Sequence, residues 1–186
     1  MILFINACVR RDSRTRRLAE SLLSRLSGEI TELRLEDTDF PKADEEFLIK
    51  RDRLTAAGRF DDPIFGLARQ FAAADEIVIA APYWDLSFPA SLKQYVEQIN
   101  ALGVTFRYTP EGYPEGLCRA KRLYYITTAG GAYVPEEFGF GYIKALARSF
   151  YGIDEVIKLE AVGLDIDGAN PERILEETEG RIGALQ

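Results

Sequence analysis

The sequence predicts an α/β fold: a five-stranded parallel sheet in three layers, with helices on both faces. Three observations lead there. Short apolar runs alternate along the chain with helical patterns, the signature of βαβ crossovers. One run, residues 76–82 (EIVIAAP), is apolar almost throughout, as a strand covered on both faces must be. The chain has 186 residues, 47% apolar and 28% charged, the balance of one ordinary domain with a full core. Residues 1–186 are therefore read as a single domain.

Each element follows in order. Residues 1–6 form the first strand. Leu18, Leu22, Leu23 and Leu26 have helical spacing, ending before Gly28. Residues 29–35 alternate as the second strand, and residues 43–58 are charged and helical, a surface insertion. Asp62 and Pro63 pair as N-cap and first residue of a helix. The third strand, 76–82, is followed by a helix over 90–101. Residues 104–117 read as strand and turn, with Pro and Gly marking the turns. A fourth main strand lies at 122–128, an aromatic-rich helix at 137–151, a fifth strand at 155–164 and a last helix at 171–184. Five such strands give the flavodoxin-like order 2-1-3-4-5, with ligands expected outside the strands' carboxyl ends.

Composition narrows the chemistry. The net charge is −7 and the isoelectric point about 4.8, which argues against nucleic acid as a partner. No apolar run approaches the roughly 20 residues of a membrane span, and the N-terminal run lacks a signal peptide's basic start. Two distant cysteines, Cys8 and Cys118, point to a reducing compartment, and the protein is read as cytoplasmic. The absence of His excludes His triads and His-metal sites, and no Cys, Asp or Glu cluster has metal-ligand spacing. The chemistry must run on a cofactor or a thiol.

The segments just after the first, third and fourth main strands are the ones to inspect. The first, residues 7–17 (ACVRRDSRTRR), carries five arginines where a helix begins. Arginine there opposes the helix dipole unless an anion sits nearby. Two uses of this loop stay open. Cys8 and Arg14, spaced C-x5-R-T, resemble the opening of low-molecular-weight tyrosine phosphatases, with Cys8 as nucleophile. Against this, Val9 to Ser13 contains no glycine to form a tight amide cradle, and Asp12 adds negative charge. Alternatively, Ser13, Thr15 and free backbone N–H groups hold a cofactor's phosphate. Ser13 also suits a plain helix cap.

The second segment, residues 81–100 (APYWDLSFPASLKQYVEQIN), holds the only Trp and offers an aromatic floor for a flat ligand. The third, residues 127–133 (TTAGGAY), brings hydroxyls and two glycines. Between them lie Gly103-Val104-Thr105-Phe106-Arg107-Tyr108 and Pro114-Glu115-Gly116-Leu117. Together with Pro82-Tyr83-Trp84-Asp85-Leu86, Leu92-Lys93 and Thr127-Thr128-Ala129-Gly130-Gly131, these stand in the order of a known family's motifs. The chain resembles the FMN-dependent NADH-azoreductases and NAD(P)H:quinone oxidoreductases over most of residues 1–131.

The resemblance implies FMN as cofactor and NADH or NADPH as co-substrate. A ping-pong transfer of two electrons would reach a quinone, azo compound or similar acceptor. It implies that Ser13 and Thr15 bind the phosphate, and that Pro82, Tyr83, Trp84, Asp85 and Leu86 line the ring and ribityl chain. Thr128, Ala129, Gly130 and Gly131 would cover the other edge. Phe106 would sit near the neighbouring subunit's site in a homodimer, and Phe138, Phe140 and Tyr142 would border the substrate pocket. No side chain need be a nucleophile. A non-catalytic flavodoxin-like electron carrier is the remaining alternative. The chain departs from the family in Asn6-Ala7-Cys8, where a Ser is usual, and in Trp84-Asp85-Leu86, where the pattern is aromatic-Asn-aromatic. A carboxylate beside the flavin would disfavour its reduced anion.

Overall fold

The computed structural model describes residues 1–184; the last two positions of the predicted domain lie outside the described residues. Five parallel strands form the main sheet: β1 (Ile2–Asn6), β2 (Ile30–Arg34), β3 (Glu76–Ala80), then Arg122–Thr128 and Glu155–Ala161. A separate antiparallel hairpin pairs β4 (Phe106–Tyr108) with β5 (Pro114–Gly116). The last two main strands are therefore β6 and β7, and the order is β2-β1-β3-β6-β7. This is the predicted 2-1-3-4-5 order counted over the main sheet.

Period-2 alternation explains both layers. Leu3, Ile5, Ile77, Ile79, Leu123 and Tyr125 project to one face, against α3 (Gly66–Ala73), α4 (Ala90–Ile99) and α5 (Phe140–Leu146). Ile2, Phe4, Val78, Ala80, Tyr124 and Ile126 project to the other, against α1 (Arg14–Leu23) and α6 (Pro171–Gly183). The charged 43–58 segment forms α2 (Glu45–Ala56), capped by Asp44 and buried only through Leu54.

Several boundaries differ from expectation for local reasons. Asp62 and Pro63 open a single 3-10 turn, Pro63–Phe65, before α3 begins. The 137–151 helix starts at Phe140 and widens into a π-helical turn, Ala147–Tyr151, closed by Gly152 at φ 72. The hairpin packs against that turn so closely that a Cβ on Gly116 would lie 2.1 Å from the Gly152 nitrogen. Strand β7 stops at Ala161 instead of 164, because Gly163 turns the chain at φ 75. That early end places Leu164 and Asp165 in a loop at the sheet's carboxyl edge.

Candidate functional site

A cleft of about 610 Å³ opens at the carboxyl ends of the main strands. The backbone ladder continues past the strands and gathers the loops around it. Ala7 N–H donates to Ala80 O, Ala81 N–H to Ile126 O, Tyr83 N–H to Thr128 O, and Ala129 N–H to Ala161 O. Farther out, Leu164 N–H donates to Ala129 O and Asp165 N–H to Gly130 O.

Of the residues predicted to hold a cofactor, Ser13, Thr15, Pro82, Tyr83, Trp84, Thr128, Ala129 and Gly130 line this cleft. Val9, Arg10, Arg11, Asp12, Arg14, Leu164 and Asp165 complete its wall. Leu164 and Asp165 were not foreseen. The available signal was the rule that sites gather at strand carboxyl ends, had the last strand been ended at Ala161.

The start of α1 is built for an anion. Ser13 caps the helix, its Oγ accepting from Arg16 N–H at 3.3 Å. The first turn holds no acidic residue and three arginines. The backbone N–H groups of Arg14 and Thr15 meet no acceptor among the described residues, leaving donors aimed outward at a positive helix end. Thr15 is buried, and its Oγ1 lies 2.6 Å from Thr128 Oγ1, joining α1 to the end of β6.

The arginine cluster divides. Arg16 pairs with Glu20 at 2.8 Å, and Arg17 with Glu172 and Glu179 of α6. Those two serve structure. Arg14 reaches across the cleft to Asp165, with Nη1 to Oδ1 at 2.7 Å. Arg10 and Arg11 are exposed on the rim and form no ion pair among the described residues.

Cys8 is not placed as a nucleophile. Its side chain is buried, its Sγ lies 3.8 Å from Ala80 O, and it does not line the cleft. Burial pushes its thiol up to about 11, with Ser13 and Arg16 pulling only partly back. The loop is fixed instead by Asn6, whose Oδ1 accepts from Cys8 N–H at 2.9 Å while its Nδ2 donates to Glu32. A low-pKa thiolate facing a phosphate cradle, the requirement of the phosphatase reading, is absent from this loop.

The segment after β3 turns sharply. Trp84 and Ser87 exchange backbone hydrogen bonds at 3.1 and 2.7 Å, and Asp85 and Leu86 between them adopt φ 50 and 66. This tight turn carries Asp85 and Leu86 to the exposed surface, outside the cleft lining. Gly131 also lies outside the lining.

The predicted substrate-pocket aromatics do not converge on this cleft either. Phe106 is buried in its own hairpin against Phe150 and Tyr108, at centroid distances of 4.8 and 5.6 Å. Phe140 packs on Tyr125, and Tyr142, on a different face of the helix, packs on Phe88. Phe138 is exposed, its carbonyl accepting from Ser87 Oγ at 2.6 Å.

The cleft fits FMN. One end offers Tyr83 and Trp84, and Trp84 is left 40% exposed although it is the only Trp. The other end offers unpaired helix N–H groups among arginines. A flat aromatic ring and a phosphate at opposite ends of one ligand match that division. A cleft of this volume lies within the usual range for cofactor sites.

Fold and site together define a flavodoxin-like protein, and residues 1–184 match the family model described as "Flavodoxin-like fold". Curated relatives narrow this further. The chain is 35% identical over 185 residues to the FMN-dependent NADH:quinone oxidoreductase of Clostridium perfringens (strain ATCC 13124), covering 95% of this chain and 92% of that one. It is 33% identical over 193 residues to the enzyme of that name from Lachnoclostridium phytofermentans, covering 99% and 96%. The chain belongs to this family, that of the FMN-dependent NADH:quinone oxidoreductases. Among solved structures, an azoreductase from Bacillus anthracis str. Sterne shares the fold at TM-score 0.84 and 24% identity, covering 99% of this chain and 97% of that one. An FMN-dependent NADH-azoreductase from Bacillus anthracis str. Ames Ancestor, solved in complex with FMN, shares it at TM-score 0.79 and 23% identity, covering 98% and 96%.

Proposed function

We propose that the protein is an FMN-dependent NAD(P)H oxidoreductase that passes two electrons to a quinone, azo compound or similar acceptor. The observation that carries this is the single cleft joining an aromatic wall, Tyr83 and Trp84, to an arginine-flanked helix start with unpaired N–H groups. The chemistry FMN supplies when bound is two-electron redox, from nicotinamide to acceptor.

The chain's own residues bind and orient. The N–H groups of Arg14 and Thr15 hold the phosphate, with the Ser13 hydroxyl beside them. Pro82, Tyr83 and Trp84 flank the ring and ribityl chain. Thr128, Ala129 and Gly130 lie along the opposite edge, where glycine allows close backbone approach. Arg10 and Arg11 make the rim electropositive on an otherwise acidic protein, drawing in anionic ligands.

The protein works as a symmetric homodimer with the site completed at the interface. Tyr108 and Tyr113 of the hairpin, with Leu102 and Leu117 beside it, expose apolar surface that supports this. Phe138, exposed beside the turn after β3, faces the acceptor. No helix among the described residues is long and apolar enough to cross a membrane, and two free buried cysteines accord with a cytoplasmic setting.

The test is reconstitution with FMN and anaerobic addition of NADH. Flavin bands that fade on NADH and return on adding a quinone support the reading. A protein that takes up no FMN, or whose bound FMN ignores both nicotinamides, contradicts it.

A further inference from the structure

Arg14 and Asp165 face each other across the phosphate end of the cleft, 151 residues apart in sequence. Arg14 is the first residue of α1, next to the unpaired helix N–H groups. Asp165 comes from the turn after β7 and is held there by its own N–H on Gly130 O. Its second carboxylate oxygen occupies the space beside Gly130, where a Cβ would come within 2.4 Å of it. The absent side chain at Gly130 is thus what lets Asp165 lean into the cleft.

Stability does not explain the pair. The two side chains are 41% and 66% exposed, and pairs this open contribute about 0–1 kcal/mol. Nor does Arg14 lack other use, since it is the one arginine of the helix start that lies in the cleft and is not committed to α1 or α6 acids.

We propose that Asp165 is a stand-in anion for the cofactor phosphate. It holds Arg14 by an ion pair across the cleft and competes with a phosphate for that guanidinium, so it sets the affinity for phosphorylated flavin. The argument rests on the cofactor reading above. A carboxylate carries one charge and a phosphate monoester nearly two, so the ligand wins Arg14 in the exchange. The competition nevertheless weakens binding relative to a cleft without Asp165. The effect acts through the phosphate alone: Asp165 lowers the affinity for FMN and leaves that for riboflavin, which has the same ring and no claim on Arg14, untouched.

The test is titration of the apoprotein with FMN and, in parallel, with riboflavin, following flavin fluorescence at low ionic strength. Asp165→Asn keeps the shape and removes the charge. FMN should then bind roughly three- to fivefold more tightly, the equivalent of about 1 kcal/mol, with riboflavin affinity unchanged. In an Arg14→Gln background the same substitution should have no effect on FMN, because its effect runs through Arg14. Unchanged or weaker FMN binding in Asp165→Asn overturns the proposal. So does a gain that persists in the Arg14→Gln background, which would mean direct repulsion of the phosphate. If the wild-type apoprotein binds no FMN at all, the cofactor reading itself has failed, a result separable from these.

Discussion

Thr15 Oγ1 lies 2.6 Å from Thr128 Oγ1, and that contact ties the first turn of α1 to the carboxyl end of β6. Thr15 is almost completely buried, and Thr128 is the partner its hydroxyl meets. Thr15→Val keeps the shape and leaves Thr128 without its partner. Thr128 is half-buried on the cleft wall and can turn to water, so the loss is that of one hydrogen bond, about 0.5–1.5 kcal/mol. Urea unfolding of the apoprotein should show a loss of that size with an unchanged denaturant slope. An unaltered midpoint would mean the contact carries nothing.

Both thiols are sealed in the fold. Burial holds Cys8 up at about 11 and Cys118 at about 12, against an ordinary 9.0. The folded chain therefore keeps these protons at pH values where the unfolded chain has released them. Their contribution to stability is complete below pH 9 and is lost as pH rises toward 11 and 12. Stability measured from pH 8 upward should fall, and more gently in Cys8→Ala measured against its own value at pH 8. Thiol reagents at pH 8 should label neither residue until the protein is unfolded. Rapid labelling of Cys8 in the native state would reopen the phosphatase reading, as would phosphatase activity lost in Cys8→Ser.

The turn after β3 stores backbone strain. Leu86 has φ 66, a conformation that costs an L-residue roughly 1–2 kcal/mol. Glycine suits this second turn position but has greater unfolded-state freedom, worth roughly 0.5–1 kcal/mol. Leu86→Gly should stabilise the apoprotein by the difference, raising its melting temperature by about 1–4 °C. A lower melting temperature would show that the exposed Leu86 side chain contributes more than its backbone costs.

The hairpin depends on a bare backbone. A Cβ on Gly116 would lie 2.1 Å from Gly152 N and 2.2 Å from Tyr151 C, main-chain atoms of a rigid π-helical turn. Gly116→Ala should destabilise the protein by about 2 kcal/mol or more and lift the hairpin from that turn. Hydrogen exchange should rise first at Leu117 and Cys118, whose N–H groups bond Thr105 and Tyr151. Unchanged exchange there would contradict the clash.

Much of this architecture was legible in the sequence because strand and helix periods are local. The unbroken apolar run of β3 announced a doubly covered strand, and the order of elements then fixed the sheet. Ser13, Thr15, Tyr83, Trp84 and Thr128 line one cleft because their loops follow the carboxyl ends of neighbouring strands, a placement the order of elements makes legible. Asp165 was missed because Gly163 ends β7 early, and a positive φ leaves no mark beyond the glycine itself. The tight turn at Asp85 and Leu86 is not legible in the sequence, because Leu86 is a residue that avoids left-handed backbone. The core packing of Phe106, Phe140 and Tyr142 is not legible either, because aromatic content does not distinguish a core face from a pocket wall.

Trp84 offers the most direct test of the central claim, that this cleft holds the flavin. It is the only Trp in the chain and lies on the cleft wall. Its emission should be followed while apoprotein is titrated with FMN. The account predicts near-complete quenching that saturates at one FMN per chain. Emission that survives saturation with FMN would place the flavin away from Trp84 and contradict it.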